Sequence, residues 1–171
     1  MSKEERKRFK RFKKLVYFIY DMTHCTGVIL FGYDSKIRLY VPLVRTPRGN
    51  WSFPKGKLKK GETIFEGGYR ELFEETGIEK GDFDVIDDGD IHIEMSNKGN
   101  PATSYFVGEY KHKINSSNLE LTPCDPEELS LAQWVPYDDI INWNEEKMGD
   151  KIKQRRINIL NSLVDRLLKL C

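Results

Sequence analysis

Three glutamates define the chemistry this chain can do. Glu71, Glu74 and Glu75 stand at i, i+3 and i+4 within the run from Gly56 to Ile78, GKLKKGETIFEGGYRELFEETGI. On a helix that spacing projects all three carboxylates from one side of about one turn. Like charges so close repel one another, and a bound cation relieves the repulsion. Hard oxygen donors suit Mg²⁺, or Mn²⁺, rather than zinc. Divalent ions held this way serve phosphate chains. Arg70 lies one turn before Glu74 and can hold its carboxylate in a ligating orientation.

The elements that must position these groups are written around them. Thr63 can cap a helix, with Glu66 three residues on as a capping box requires. Gly77 follows the last periodic residue, where a left-handed C-terminal conformation suits glycine. Gly56 and Gly61 bracket a Lys-rich loop whose backbone must approach metal and phosphate closely. Ile64, Leu72, Ile78 and the ring of Phe65 or Phe73 are expected to face the core. Gly67 and Gly68, in mid-helix, each cost on the order of 1 kcal/mol relative to alanine. Close packing of this helix on a sheet explains them better than backbone access for substrate.

The run resembles the Nudix box, G-x5-E-x7-R-E-U-x-E-E-x-G-U with U aliphatic. It agrees at Gly56, Glu62, Arg70, Glu71, Leu72, Glu74, Glu75, Gly77 and Ile78. A charge run is usually a solvated helix face, but here the glycines and Arg70 are in register as well. The resemblance covers about Cys25 to Trp143. It implies an α/β fold, the family's α/β/α sandwich with a mixed central sheet. It also implies hydrolysis of a nucleoside diphosphate linked to another group. Carried over by position, Glu71, Glu74 and Glu75 would ligate Mg²⁺, and Gly56 would offer its carbonyl. Glu75 would be a ligand or the base, Arg70 would orient the cluster, and Glu62 would support the loop. Glu128 stands in Asp125-Pro126-Glu127-Glu128, six residues before Trp134. This segment resembles one on which some relatives carry a general base. Glu128 is the preferred candidate and Glu127 the second, against a simple solvated acidic loop.

The substrate contacts follow the same resemblance. Trp51-Ser52-Phe53-Pro54-Lys55-Gly56-Lys57 resembles the W-x-x-P-K-G segment of diadenosine tetraphosphate hydrolases and the G-F-P-K-G-K segment of messenger-RNA decapping enzymes. Lys55 and Lys57 flank the metal loop and can hold phosphates as point charges. Lys98, with Pro101, Thr103 and Tyr105, resembles the K-P-x-T…Y stretch of the dinucleoside polyphosphate branch, where Tyr105 or Phe106 can stack on a base. A dinucleoside polyphosphate is therefore the first expectation. A messenger-RNA cap or RNA 5′ end is the second, although decapping enzymes carry a helical domain ahead of the catalytic one that the segment here is too short to supply. A diphosphoinositol polyphosphate is disfavoured, because Lys57 rather than glycine follows Gly56. The intact glutamates argue against a binding module with a dead box. His24, His92 and His112 show no metal spacing.

The 171-residue chain is 39% hydrophobic and 12% aromatic, as expected of one globular domain with a substantial core. No apolar run approaches the roughly 18 residues that span a bilayer, so no membrane partner is expected. The stretch Leu15 to Tyr20 is too short for a signal-peptide core. Cys25, Cys124 and Cys171 are odd in number and scattered, which fits a reducing compartment, cytoplasmic or nuclear. Cys25 is expected in the core. Residues 3–14 hold eight Lys or Arg and two Glu, a local charge of +6 that leaves −5 on residues 15–171 of a chain with net charge +1. This basic arm is either a solvated helix or a contact for RNA or polyphosphate. The chain is thus divided into an arm at 1–16, a catalytic domain at 17–146 and an amphipathic helix packed on it at 147–171. Strands are expected at 28–31 and 37–44 around a turn at 32–36. Others are expected at 83–85, 91–95, 104–110 and 132–135, with a polar loop at 96–103, and helices at 137–143 and 149–170.

Overall fold

The computed structural model describes residues 2–125, 127–128 and 131–169, with side chains described outside 13–22. Its centre is a parallel pair, β1 (Cys25–Asp34) and β7 (Pro101–Ile114), aligned from Cys25 opposite Thr103 to Phe31 opposite Glu109. Strand β2 (Leu39–Arg45) lies antiparallel to β1, followed by β3 (Asn50–Ser52) and the two-residue β9 (Lys151–Ile152); β5 (Phe83–Val85) closes the other edge. Strands β4 (Lys55–Lys57), β6 (His92–Met95) and β8 (Leu131–Pro136) pair with β1, β7 and β2 respectively.

Both faces of this mixed sheet are covered, which is why Val28 to Phe31 and Tyr105 to Val107 read as continuous apolar runs. Successive side chains alternate between faces. Val28, Leu30 and Phe106 pack with Leu72 of α2 (Ile64–Thr76). Ile29, Phe31, Tyr105 and Val107 pack with Ile157, Leu160 and Leu163 of α5 (Gln154–Lys169). The expected helix–sheet–helix layering is present. Short helices α3 (Tyr137–Ile141) and α4 (Glu145–Met148) lead into β9, and α1 (Lys3–Met22) precedes β1.

Several expectations need adjustment. The boundary expected after residue 16 falls inside α1. Residues 149–170 do not form one helix, because Gly149 at φ 79° ends α4 and β9 intervenes before α5 begins at Gln154. The first hairpin turns later than 32–36, since β1 continues to Asp34, whose carboxylate accepts the backbone N–H groups of Lys36 and Arg38. Strand β7 begins at Pro101, inside the expected loop. Cys25 is only partly buried, at the start of its strand. Met1, Pro126, Cys171 and the side chains of Lys13 and Lys14 lie outside the described residues.

Candidate active site

Helix α2 presents the glutamates. Thr63 accepts the N–H of Glu66 while the Glu66 carboxylate accepts that of Thr63, the full capping box. Gly77 closes the helix at φ 75°, its N–H bonded to the Phe73 carbonyl at 2.8 Å. Gly67 and Gly68 are buried where α2 meets the sheet. A Cβ on Gly67 would stand 2.7 Å from the Thr26 methyl, and one on Gly68 would overlap the Phe106 ring. Their role is close packing. Ile64, Leu72 and Ile78 differ in burial, with Leu72 and Ile78 inside and Ile64 at the margin. Phe73 is exposed; Phe65 is exposed too, with its ring 4.8 Å from Phe106.

Arg70 organises the carboxylates. Its guanidinium donates to both Glu62 oxygens at 2.5 and 2.9 Å, to Glu71 at 2.7 Å, to Glu74 at 3.1 Å and to the Lys57 carbonyl at 2.9 Å. One side chain therefore ties the loop to the helix. The Arg70 hydrogen bonds hold Glu62 down to about 2, against the opposing effect of burial, and a backbone N–H from Lys59 adds to the lowering. Glu71 goes the other way: burial raises it, and Arg70 offsets part of that rise. A Cβ on Gly56 would overlap the Glu71 carboxylate as Arg70 holds it, so any larger residue there would displace that carboxylate. Glu75 accepts the Lys55 N–H at 2.9 Å. Burial pushes its carboxyl up to about 8 despite that bond, with Glu71 and Glu128 adding to the rise.

The three glutamates line a cavity of about 230 Å³ together with Cys124, Asp125 and Glu128. The loop that brings Glu128 there is anchored by the Cys124 N–H on the Glu74 carbonyl at 2.7 Å. Sequence spacing does not single out Cys124 and Asp125; their signal is the acidic run that continues to Glu128. Glu127 is exposed and takes no part in the cavity wall. Among the described residues, no three His, Cys, Asp or Glu side chains are arranged to hold a metal ion as they stand. Arg70 engages Glu71 and Glu74, and Lys55 engages Glu75. The donor set nevertheless fits a hard divalent cation, with carboxylate oxygens around a glycine whose missing side chain leaves room for them.

The expected substrate contacts separate into two groups. Lys55 and Lys57 flank Gly56, Lys57 exposed and Lys55 half-buried; the Lys55 N–H reaches Glu75 of the cavity, but neither lysine is part of its wall. Lys98 is exposed on the β6–β7 turn and does not line the cavity. Trp51 and Tyr105 are core residues, 1% and 0% exposed. The Trp51 indole donates to the Met148 carbonyl, and the Tyr105 hydroxyl donates to Glu94. Phe106 is also fully buried. None of these rings is open to a base, because the sheet uses both of its faces for the core.

A two-sided α/β sandwich with a carboxylate-lined cavity on one helix defines the structural class. Residues 23–156 match the family model described as the NUDIX domain, and the chain belongs to that family. It is 29% identical over 128 residues to Nudix hydrolase 2 of Arabidopsis thaliana, covering 71% of this chain and 42% of that protein. It is 31% identical over 104 residues to an RNA pyrophosphohydrolase of Francisella philomiragia, covering 54% of this chain and 66% of that one. The chain thus spans less than two thirds of the length of these curated relatives. The fold is similar to that of a C. elegans Ap4A hydrolase binary complex, with TM-score 0.65, 16% identity and coverage of 85% of this chain and 98% of that chain. It is also similar to the NUDIX domain of Shewanella oneidensis NrtR complexed with ADP ribose, with TM-score 0.60, 15% identity and coverage of 85% and 88%.

Proposed function

We propose that this chain is a metal-dependent pyrophosphohydrolase acting on a nucleoside diphosphate-linked substrate, in first place a dinucleoside polyphosphate such as diadenosine tetraphosphate. The observation that carries this reading is the shared cavity of Glu71, Glu74, Glu75 and Glu128. Glu71, Glu74, Glu75 and the Gly56 carbonyl would hold Mg²⁺ or Mn²⁺, which when bound neutralises phosphate oxygens and acidifies water. Arg70 keeps two of the carboxylates oriented before a cation arrives. Glu128, which lines the cavity with the α2 glutamates, would accept a proton from attacking water, and Glu75 is the other candidate base. Lys55 and Lys57 supply positive charge beside the loop. Product analysis with Mg²⁺, offering diadenosine tetraphosphate and capped RNA together, tests the assignment. ATP and AMP are expected from the dinucleotide; no turnover of it would overturn the reading.

A second reading, an RNA 5′-end pyrophosphohydrolase or decapping enzyme, has its own observation. Helix α1 carries Lys3, Arg6, Lys7, Arg8, Lys10 and Arg11, with Phe9 and Phe12 exposed beside them. Such a helix suits a phosphate backbone, and one curated relative is named an RNA pyrophosphohydrolase. Release of m7GDP from the capped RNA, with the dinucleotide spared, would favour it. A cytoplasmic location is part of the proposal. Among the described residues no helix is long and apolar enough to cross a membrane.

A further inference from the structure

At the end of the sheet where β4 runs, one residue serves both faces. The Lys55 backbone N–H goes to Glu75 on the α2 side, but its side chain leaves on the other side. A Cβ on Gly27 would lie 2.8 Å from the Lys55 Cβ and 2.9 Å from the Tyr105 ring, and Tyr105 belongs to the core under α5. The Tyr105 hydroxyl donates to Glu94 at 2.9 Å, and the same buried carboxylate accepts Arg155 at 2.9 Å and Arg156 at 3.0 Å. Arg156 also donates to the Trp51 carbonyl at 2.9 Å. Both arginines are therefore held in place.

Lys153, immediately before α5, is half-buried beside them. Lys153 is acted on by three cations, Arg155, Arg156 and, more weakly, Lys55, and by one carboxylate, Glu94, while the charge of Lys55 also acts on Glu75. Neither Lys55 nor Lys153 has an ion-pair partner among the described residues. Burial, followed by the charges of Arg155 and Arg156, pushes the Lys153 ammonium below the usual lysine range. Glu94 is already engaged by two guanidiniums and a hydroxyl. The uncompensated positive charge thus mirrors the acidic cavity across the β4 strand, and an incoming anion would relieve it.

We propose that Lys153 and Lys55 form an anion site on the α5 face that takes the non-reacting phosphates of a substrate with three or more phosphates, while the reacting bond lies at the carboxylate cavity. This rests on the pyrophosphohydrolase reading. It makes Lys153 a specificity residue that favours long polyphosphate chains over two-phosphate compounds. Lys151, exposed on the neighbouring strand, contributes only diffuse charge.

Titration of the metal-free protein with inorganic tripolyphosphate tests the site without requiring turnover. Lys153→Gln is expected to weaken binding about tenfold or more, the scale of one hydrogen bond to a charged group, and Lys151→Gln less than about twofold. Equal weakening in both variants, no weakening in Lys153→Gln, or no binding by the unaltered protein would each overturn the proposal. With Mg²⁺ present, Lys153→Gln is expected to raise KM for diadenosine tetraphosphate about tenfold, with kcat preserved and KM for ADP-ribose unchanged. If neither nucleotide is turned over but the tripolyphosphate difference holds, the anion site stands and the activity reading falls.

Discussion

Burial and chemistry place opposite demands on Glu75, whose carboxyl is pushed up to about 8 from an ordinary 4.5. A carboxyl raised in the folded state favours folding fully below the unfolded value and loses that contribution as pH rises through the folded one. The metal-free protein should therefore lose stability between about pH 4.5 and 8. Glu75→Gln, which cannot ionise, should melt higher than the unaltered protein at the alkaline end of that window and no higher at the acidic end. Its turnover should fall at least roughly a hundredfold; near-normal activity would remove Glu75 from the catalytic group. Glu62 behaves in the opposite sense. Held at about 2 by Arg70, it stabilises the fold above the ordinary glutamate value and loses that contribution as pH falls through its own. Urea denaturation at neutral pH and at about pH 2.5 should show a smaller acid loss in Glu62→Gln than in the unaltered protein.

At the scale of elements, α2 shows how packing overrides propensity. Alanine at Gly68 would improve helix propensity by about 1 kcal/mol. The same methyl would overlap the Phe106 ring, and overpacking costs about 1–3 kcal/mol. Gly68→Ala should therefore be destabilised, and the shifted helix should lower activity with it. A melting temperature at or above that of the unaltered protein would show that Phe106 moves aside freely. Helix α5 is fixed by different means. Arg156 and Glu94 are both nearly inaccessible to solvent, so Arg156→Ala would leave a buried carboxylate with less compensation and should cost about 3–5 kcal/mol in chemical denaturation.

For the molecule as a whole, charge is unevenly distributed. The +6 of residues 3–14 opposes −5 over the rest, and the carboxylate cavity belongs to the acidic remainder. Removal of residues 1–14 should spare dinucleotide hydrolysis, because α1 contributes no wall to that cavity. It should weaken RNA binding and flatten its dependence on salt, since fewer counterions are released. Loss of dinucleotide turnover on truncation would place the arm in the folded active unit instead.

The glutamate motif was legible from the chain alone because its chemistry is local. Glu71, Glu74, Glu75 and Arg70 lie within about a helical turn, and the capping box and terminal glycine need only nearest-neighbour geometry. The layering could be anticipated for a similar reason, since continuous apolar strands demand cover on both faces. Long-range facts were out of reach. Nothing in the spacing of Trp51 and Tyr105 says that they belong to the core rather than to a substrate cleft, because an aromatic residue serves either purpose equally well. The break at Gly149 was hidden by an apolar stripe that continues into α5. Glu128 joins the box only because its loop is tied back to Glu74. Lys153 comes within electrostatic reach of Lys55 because the parallel bridge of β9 to β3 brings the start of α5 to the same end of the sheet. Local carboxylate spacing determined where catalysis would be sought; the pairing of distant strands decided which charges surround it, because only the folded sheet brings those charges together.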